Sequence, residues 1–79
     1  MTQGERVHEI RKHFGLTMEK FGEKLGVKKT SISNIENGIR GLTEQMTLSI
    51  CRVFGVNEAW LRNGEGEMFE QLLAEDEVA

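Results

Sequence analysis

The stretch Thr17–Gly38, TMEKFGEKLGVKKTSISNIENG, constrains the fold more than any other part of this chain. Gly26 separates Leu25, the last residue of one apolar stripe, from Val27, the first residue of the next. A glycine there lets the backbone take a positive φ and reverse sharply without a Cβ clash. The pattern predicts two helices joined by a tight turn. Gly22, one helical turn earlier, leaves room for the two helices to touch closely. Ile32 and Ile35 then recur at i, i+3 spacing, as a core-facing helical stripe requires.

The remaining positions of the second helix are Lys28, Lys29, Thr30, Ser33, Asn34 and Asn37, short, polar or cationic residues that share the opposite face. A solvated helix face usually mixes long Glu and Lys side chains, yet this one has no acid before Glu36. Such a composition suits a surface pressed against phosphates and base edges.

The charge balance looks unfavourable for that reading. The chain carries 13 acids against 10 bases, a net −3. The imbalance is local. Residues 65–79 hold six acids and no Lys or Arg, which leaves residues 1–64 with seven acids, all ten bases and a net +3. That is modest for a DNA-binding surface but of the right sign. We therefore divide the chain into a domain at 1–64 and an acidic C-terminal extension at 65–79.

Seventy-nine residues suffice for one small core, with no room for a separate effector or catalytic domain. A single cysteine excludes an internal disulfide, and with two histidines it makes a structural zinc site a poor expectation. Nothing approaches the ~20 consecutive apolar residues of a membrane span, and the N-terminus lacks an apolar signal region. No phosphate loop, nucleophile–base pair or metal cluster stands out. We expect no enzyme activity, no cofactor, no metal and no membrane partner, and a cytoplasmic location.

Along the chain, a first helix is predicted over Gln3–His13, with Val7, Ile10 and Phe14 as its inner stripe. Arg11 falls on the same face as Val7, where it could snorkel at the core edge. His8 and His13, five apart, are expected at the surface. Thr17 is placed to cap the second helix, with Leu16 and Phe21 as a hydrophobic staple. The same helix terminus also suits a DNA phosphate. Thr43 caps a fourth helix with Met46, Ile50 and Phe54 inward and Cys51 beside them as a buried, inert thiol. Asn57 caps a short fifth helix, with Val56 and Leu61 repeating the staple. Trp60 is expected to be buried in the core or in a dimer interface. After Gly64 and Gly66, Met68–Leu73 is either a short helix or a strand. Its Met68, Phe69, Leu72 and Leu73 either contact a second copy or a partner, or pack back onto Trp60.

Taken together, Arg11, Gly15-Leu16-Thr17, Phe21-Gly22, Leu25-Gly26-Val27, Ile32-Ser33, Ile35-Glu36-Asn37-Gly38, Phe54-Gly55-Val56 and Trp60-Leu61 resemble the phage-repressor/Cro-type helix-turn-helix family, also called the xenobiotic-response-element type. The resemblance spans about residues 5–64. It implies an all-α, five-helix repressor-like DNA-binding domain and a largely buried salt bridge between Arg11 and Glu36. It also implies a loop at Ile39–Leu42 whose Arg40 touches the DNA backbone, and a homodimer on a palindromic duplex. On this reading Lys29 can donate to guanine and Asn34 can contact adenine bidentately, while Thr30 or Ser33 reaches a base or a thymine methyl. Lys28 and Arg40 hold phosphates. Thr17, Met18 and Asn37 complete the DNA-facing set. The chain departs from the family pattern in places. Met18 stands where a glutamine supporting DNA contact is common. Lys28 replaces the Ser or Thr cap of the recognition helix. Gly22 replaces alanine, at a cost of up to about 1 kcal/mol in helix propensity. Gly41-Leu42 occupies a place where proline is common.

The leading expectation is a small sequence-specific transcriptional regulator of a bacterium or its prophage, a dimeric repressor acting on nucleoid DNA. The alternative is the antitoxin of a toxin–antitoxin pair, with Met68–Leu73 covering a regulatory protein partner, the toxin, while the helix-turn-helix autoregulates. A third is a helical bundle that has lost DNA binding. So small a chain leaves little room for an inducer pocket, so control through protein level or a partner is expected.

Overall fold

The computed structural model describes residues 1–69; Glu70–Ala79, and with them Leu72 and Leu73, lie outside the described residues. Five helices follow in order: α1 (Gln3–His13), α2 (Met18–Leu25), α3 (Lys29–Glu36), α4 (Glu44–Phe54) and α5 (Glu58–Asn63). The all-α expectation holds, and one isolated antiparallel bridge joins Val56 to Phe69. None of the described helices is long and apolar enough to cross a membrane.

The helix starts follow from their caps. The hydroxyls of Thr17 and Thr43 accept from the amides of Lys20 and Met46, and the Asn57 side chain accepts from Ala59. Thr2 and Glu5 form a reciprocal capping box at the start of α1. Val56 and Leu61, the staple pair of α5, are both buried.

Val7 and Ile10 of α1, Phe21 of α2, Ile32 and Ile35 of α3 and Ile50 of α4 form the core with Val56 and Leu61. Met46, Phe54, Cys51 and Trp60 pack against it half-buried. Phe14 does not belong to the inner stripe. α1 ends at His13, and Phe14 is its C-cap, beyond the last turn that packs on the core, where it is 42% exposed. Its ring instead meets Phe54 at 5.1 Å and Phe69 at 5.9 Å.

Residues 67–69 return to the body of the molecule. The Asn57 amide donates to the Met68 carbonyl at 2.8 Å, and the Asn57 side-chain amide donates to the Glu67 carbonyl. Met68 and Phe69 pack half-buried on the core, and the Phe69 ring lies 4.8 Å from His13.

Candidate nucleic-acid interface

The turn between α2 and α3 has the predicted form. Gly26 is left-handed at φ 78°, and the Val27 amide donates to the Gly22 carbonyl at 2.9 Å. Gly22 is required by contact. A Cβ there would stand 2.6 Å from the Val27 carbonyl oxygen, so the close approach depends on the missing methyl. Gly4 does the same between α1 and α3, where a Cβ would overlap the carbonyl oxygens of Ile35 and Glu36.

These approaches fix α3 with Ile32 and Ile35 inward. Lys28, Lys29, Thr30 and Asn37 are exposed, and Ser33 and Asn34 are half-exposed. The polar set therefore lies on the outward side, and the Asn37 side-chain amide donates to the Ser33 hydroxyl at 3.2 Å. The Asn34 carbonyl accepts from the amides of Ile39 and Arg40, tying the following loop to the helix end and leaving Arg40 exposed. Ile39, 75% exposed, stands beside it.

Lys28 is the N-cap of α3 in extended conformation (φ −87°, ψ 160°) and makes no side-chain cap bond. An ammonium has donors only, so it cannot satisfy the open amides of the first turn. Thr17 and Met18 sit at the start of α2 beside this end of α3, lining one hollow with Arg11, Glu19 and Lys29. A second hollow joins Glu19 and Glu23 of α2 to Val27, Lys28, Lys29 and Thr30. The outward face of α3 is acid-free, as its sequence indicates, but α2 contributes two carboxylates to its border. Their position follows from how α2 lies against α3, which helix periodicity does not reveal.

Behind the face, Arg11 is paired with Glu36. Its Nε donates to Oε2 at 2.7 Å, its Nη2 to Oε1 at 3.1 Å, and its Nη1 to the Leu16 carbonyl at 2.9 Å. The Arg11 and Glu36 side chains are 15% and 4% exposed. The hydrogen bonds to Glu36, aided by its charge and opposed by burial, raise the Arg11 pKa above the ordinary arginine value. His8 is not a free surface histidine, because its Nδ1 lies 2.9 Å from Glu36 Oε1. A long-range hydrogen-bonding partner leaves no mark on periodicity, so its sequence neighbours could not show it.

Arg6 was also missed. It is buried, with Nε donating to the Leu61 carbonyl and Nη1 and Nη2 to the carbonyls of Met1 and Arg62. Backbone acceptors have no side-chain signature. Trp60, Met68 and Phe69, predicted as dimer or partner contacts, are placed half-buried against the chain's own core. Among the described residues, no group of three or more His, Cys, Asp or Glu is arranged to hold a metal ion.

Two helices crossing on a glycine turn, with a polar outward face on the second, define a helix-turn-helix protein. The helix-turn-helix domain family matches residues 4–67, and the chain belongs to that family. Among its relatives, the HTH-type transcriptional regulator for conjugative element SXT of Vibrio cholerae is 31% identical over 67 residues. That match covers 85% of this chain but 31% of the relative, so the chain spans less than a third of that protein's length. An uncharacterized HTH-type transcriptional regulator, YgzD of Bacillus subtilis (strain 168), is 35% identical over 51 residues, covering 65% of this chain and 77% of YgzD.

Solved structures share the fold. The P22 c2 repressor, crystallised with the synthetic operator 9T, superposes with a TM-score of 0.75 at 22% identity, covering 82% of this chain and 98% of that one. The restriction-modification controller protein C.AhdI from Aeromonas hydrophila gives 0.68 at 22% identity, covering 75% and 89%. The phage-repressor/Cro-type resemblance in the sequence is borne out.

Proposed function

We propose that this chain is a sequence-specific DNA-binding transcriptional regulator, a small repressor that binds a palindromic duplex as a homodimer. The observation that carries the proposal is the division of α3. Ile32 and Ile35 are buried, while Lys28, Lys29, Thr30, Ser33, Asn34 and Asn37 stand on its outward side. An α-helix fits the major groove, where such donors and acceptors distinguish base pairs. Lys29 is assigned to guanine and Asn34 to adenine, with Thr30 or Ser33 between them. Lys28, Arg40 and Thr17 are assigned to phosphates, which supply affinity without sequence information. The names of the two relatives above, each an HTH-type transcriptional regulator, support the reading, as does a fold shared with a repressor solved on a synthetic operator. The function needs no cofactor or catalytic step, and its place is on DNA in the cytoplasm.

One such helix reads only a few base pairs, so useful specificity requires two, about 34 Å apart on adjacent turns of one duplex face. The antitoxin reading draws no support from the relatives, and Met68 and Phe69, on which it leaned, are engaged with the chain's own core. The test is selection of bound sequences from a random duplex pool at near-physiological salt. Enrichment of an inverted repeat with half-site centres about one helical turn apart is expected. Recovery of unenriched sequence, with weak binding that salt abolishes, would overturn the proposal.

A further inference from the structure

We propose that Met18 reads the C5-methyl group of a pyrimidine in the major groove, an inference that rests on the DNA-binding role above. Met18 is the first residue of α2, half-buried and packed against the core. Its remaining surface lines a hollow of about 410 Å³ with Arg11, Thr17, Glu19 and Lys29. Every other side chain lining that hollow is polar or charged.

The Met18 side chain has no hydrogen-bond donor and only a weak sulfur acceptor. It cannot hold a phosphate oxygen, which demands a donor. Against the polar edge of a base it would leave groove atoms desolvated and unpaired, which is costly. The apolar group that the major groove presents is the methyl on C5 of thymine. A 5-methylcytosine carries the same group at the same place. A thioether is polarisable and adaptable, and so suited to packing on such a methyl. Lys29 lines the same hollow, which places the methylated pyrimidine next to the base pair that Lys29 contacts.

The experiment takes the full chain and the duplex recovered by selection. Each thymine is replaced singly by deoxyuridine, and each cytosine singly by 5-methyldeoxycytosine. One position in each half-site is expected to show a change of about four-fold in Kd on loss or gain of the methyl, the size of one buried methyl-sized group. Sensitivity to deoxyuridine identifies thymine as the source, and tighter binding on cytosine methylation identifies 5-methylcytosine. Met18→Gln and Met18→Ala are expected to bring the ratio to about one while Met18→Leu keeps it, with melting curves confirming that each variant is folded. Duplexes that bind equally with and without every methyl would overturn the inference and leave the DNA-binding role standing. A methyl effect that persists undiminished in Met18→Gln or Met18→Ala would overturn it too. Failure of the chain to enrich any duplex would remove both together.

Discussion

Glu36 is almost wholly withdrawn from water at the end of α3 and is held from α1 by Arg11 and His8. Removing one partner of a buried pair strands the other charge, at a cost of about 3–5 kcal/mol. Arg11→Met is therefore expected to lower the melting temperature by more than about 10 °C, given the ~4–8 °C per kcal/mol of a domain this size. Lys12→Met, at an exposed position, should change it by no more than a few degrees. Equal shifts in thermal melts would contradict the pairing. Because the Arg11 pKa is raised, the arginine's contribution is complete below its unfolded value and is lost only as pH rises through the folded one. That window lies in strong alkali, so on the arginine side the pair holds throughout the neutral range. Gly22 separates two physical effects. Propensity alone predicts that Gly22→Ala stabilises α2 by up to about 1 kcal/mol. The 2.6 Å approach of a Cβ to the Val27 carbonyl oxygen predicts the opposite sign, and the same melts decide. The charge of Arg11 on an apolar stripe was visible in the sequence, and the resemblance supplied its partner. The roles of His8 and Arg6 were not visible, because the Glu36 partner of His8 lies 28 residues away and the partners of Arg6 are carbonyl oxygens, two of them 55 and 56 residues away.

Among the elements, α3 is the least supported at its own start. α2, α4 and α5 each begin on a side chain that accepts from the first turn, whereas Lys28 offers α3 nothing. Lys28→Thr restores a hydroxyl at the N-cap and is expected to stabilise the fold by about 1 kcal/mol. If Lys28 holds a phosphate, the same change weakens DNA binding for every sequence and reduces the salt dependence by about one contact. Higher melting temperature with weaker binding, measured on one protein, is the expected signature; stronger binding would contradict the phosphate role. The carboxylates of Glu19 and Glu23 border the same helix start. Glu23→Gln is expected to tighten binding to unrelated duplexes in a salt-dependent way, measured by titration, since it removes a charge that repels phosphate. The bounds of the helices were legible because their stripes and caps are local in sequence. Phe14 was misplaced because the i, i+7 spacing from Val7 continues past the residue where α1 stops. The acids of α2 were overlooked because their relation to α3 is set by tertiary packing.

The molecule as a whole presents α3, the start of α2 and the loop carrying Arg40 as its candidate interface, and uses α1, α4 and α5 to hold them. Residues 67–69 are tied to Val56 and Asn57 and put the Phe69 ring beside His13 and Phe14. We propose that this return belongs to the stable unit. A chain ending at Gly64 is expected to melt several degrees below one ending at Phe69, since it uncovers part of Val56 and frees the Asn57 amide. Coincident melts would place the return outside that unit. The apolar character of Met68 and Phe69 was evident in the sequence, but alternation over so short a run fits a partner surface and a returning segment equally. Their placement is set by the bridge to Val56 and the hydrogen bonds from Asn57, which pair residues ten or more positions apart.

The most direct measurement compares the wild-type chain with a Lys29→Ala, Asn34→Ala double variant on the selected duplex and on a scrambled one, at the same near-physiological salt. The wild type should prefer the selected duplex by a hundred-fold or more, given about 1–3 kcal/mol for each good base contact in each of two half-sites. The variant should melt within a few degrees of the wild type and lose most of that preference while still binding both duplexes weakly. A folded variant that keeps the full preference would show that the outward face of α3 does not read the sequence.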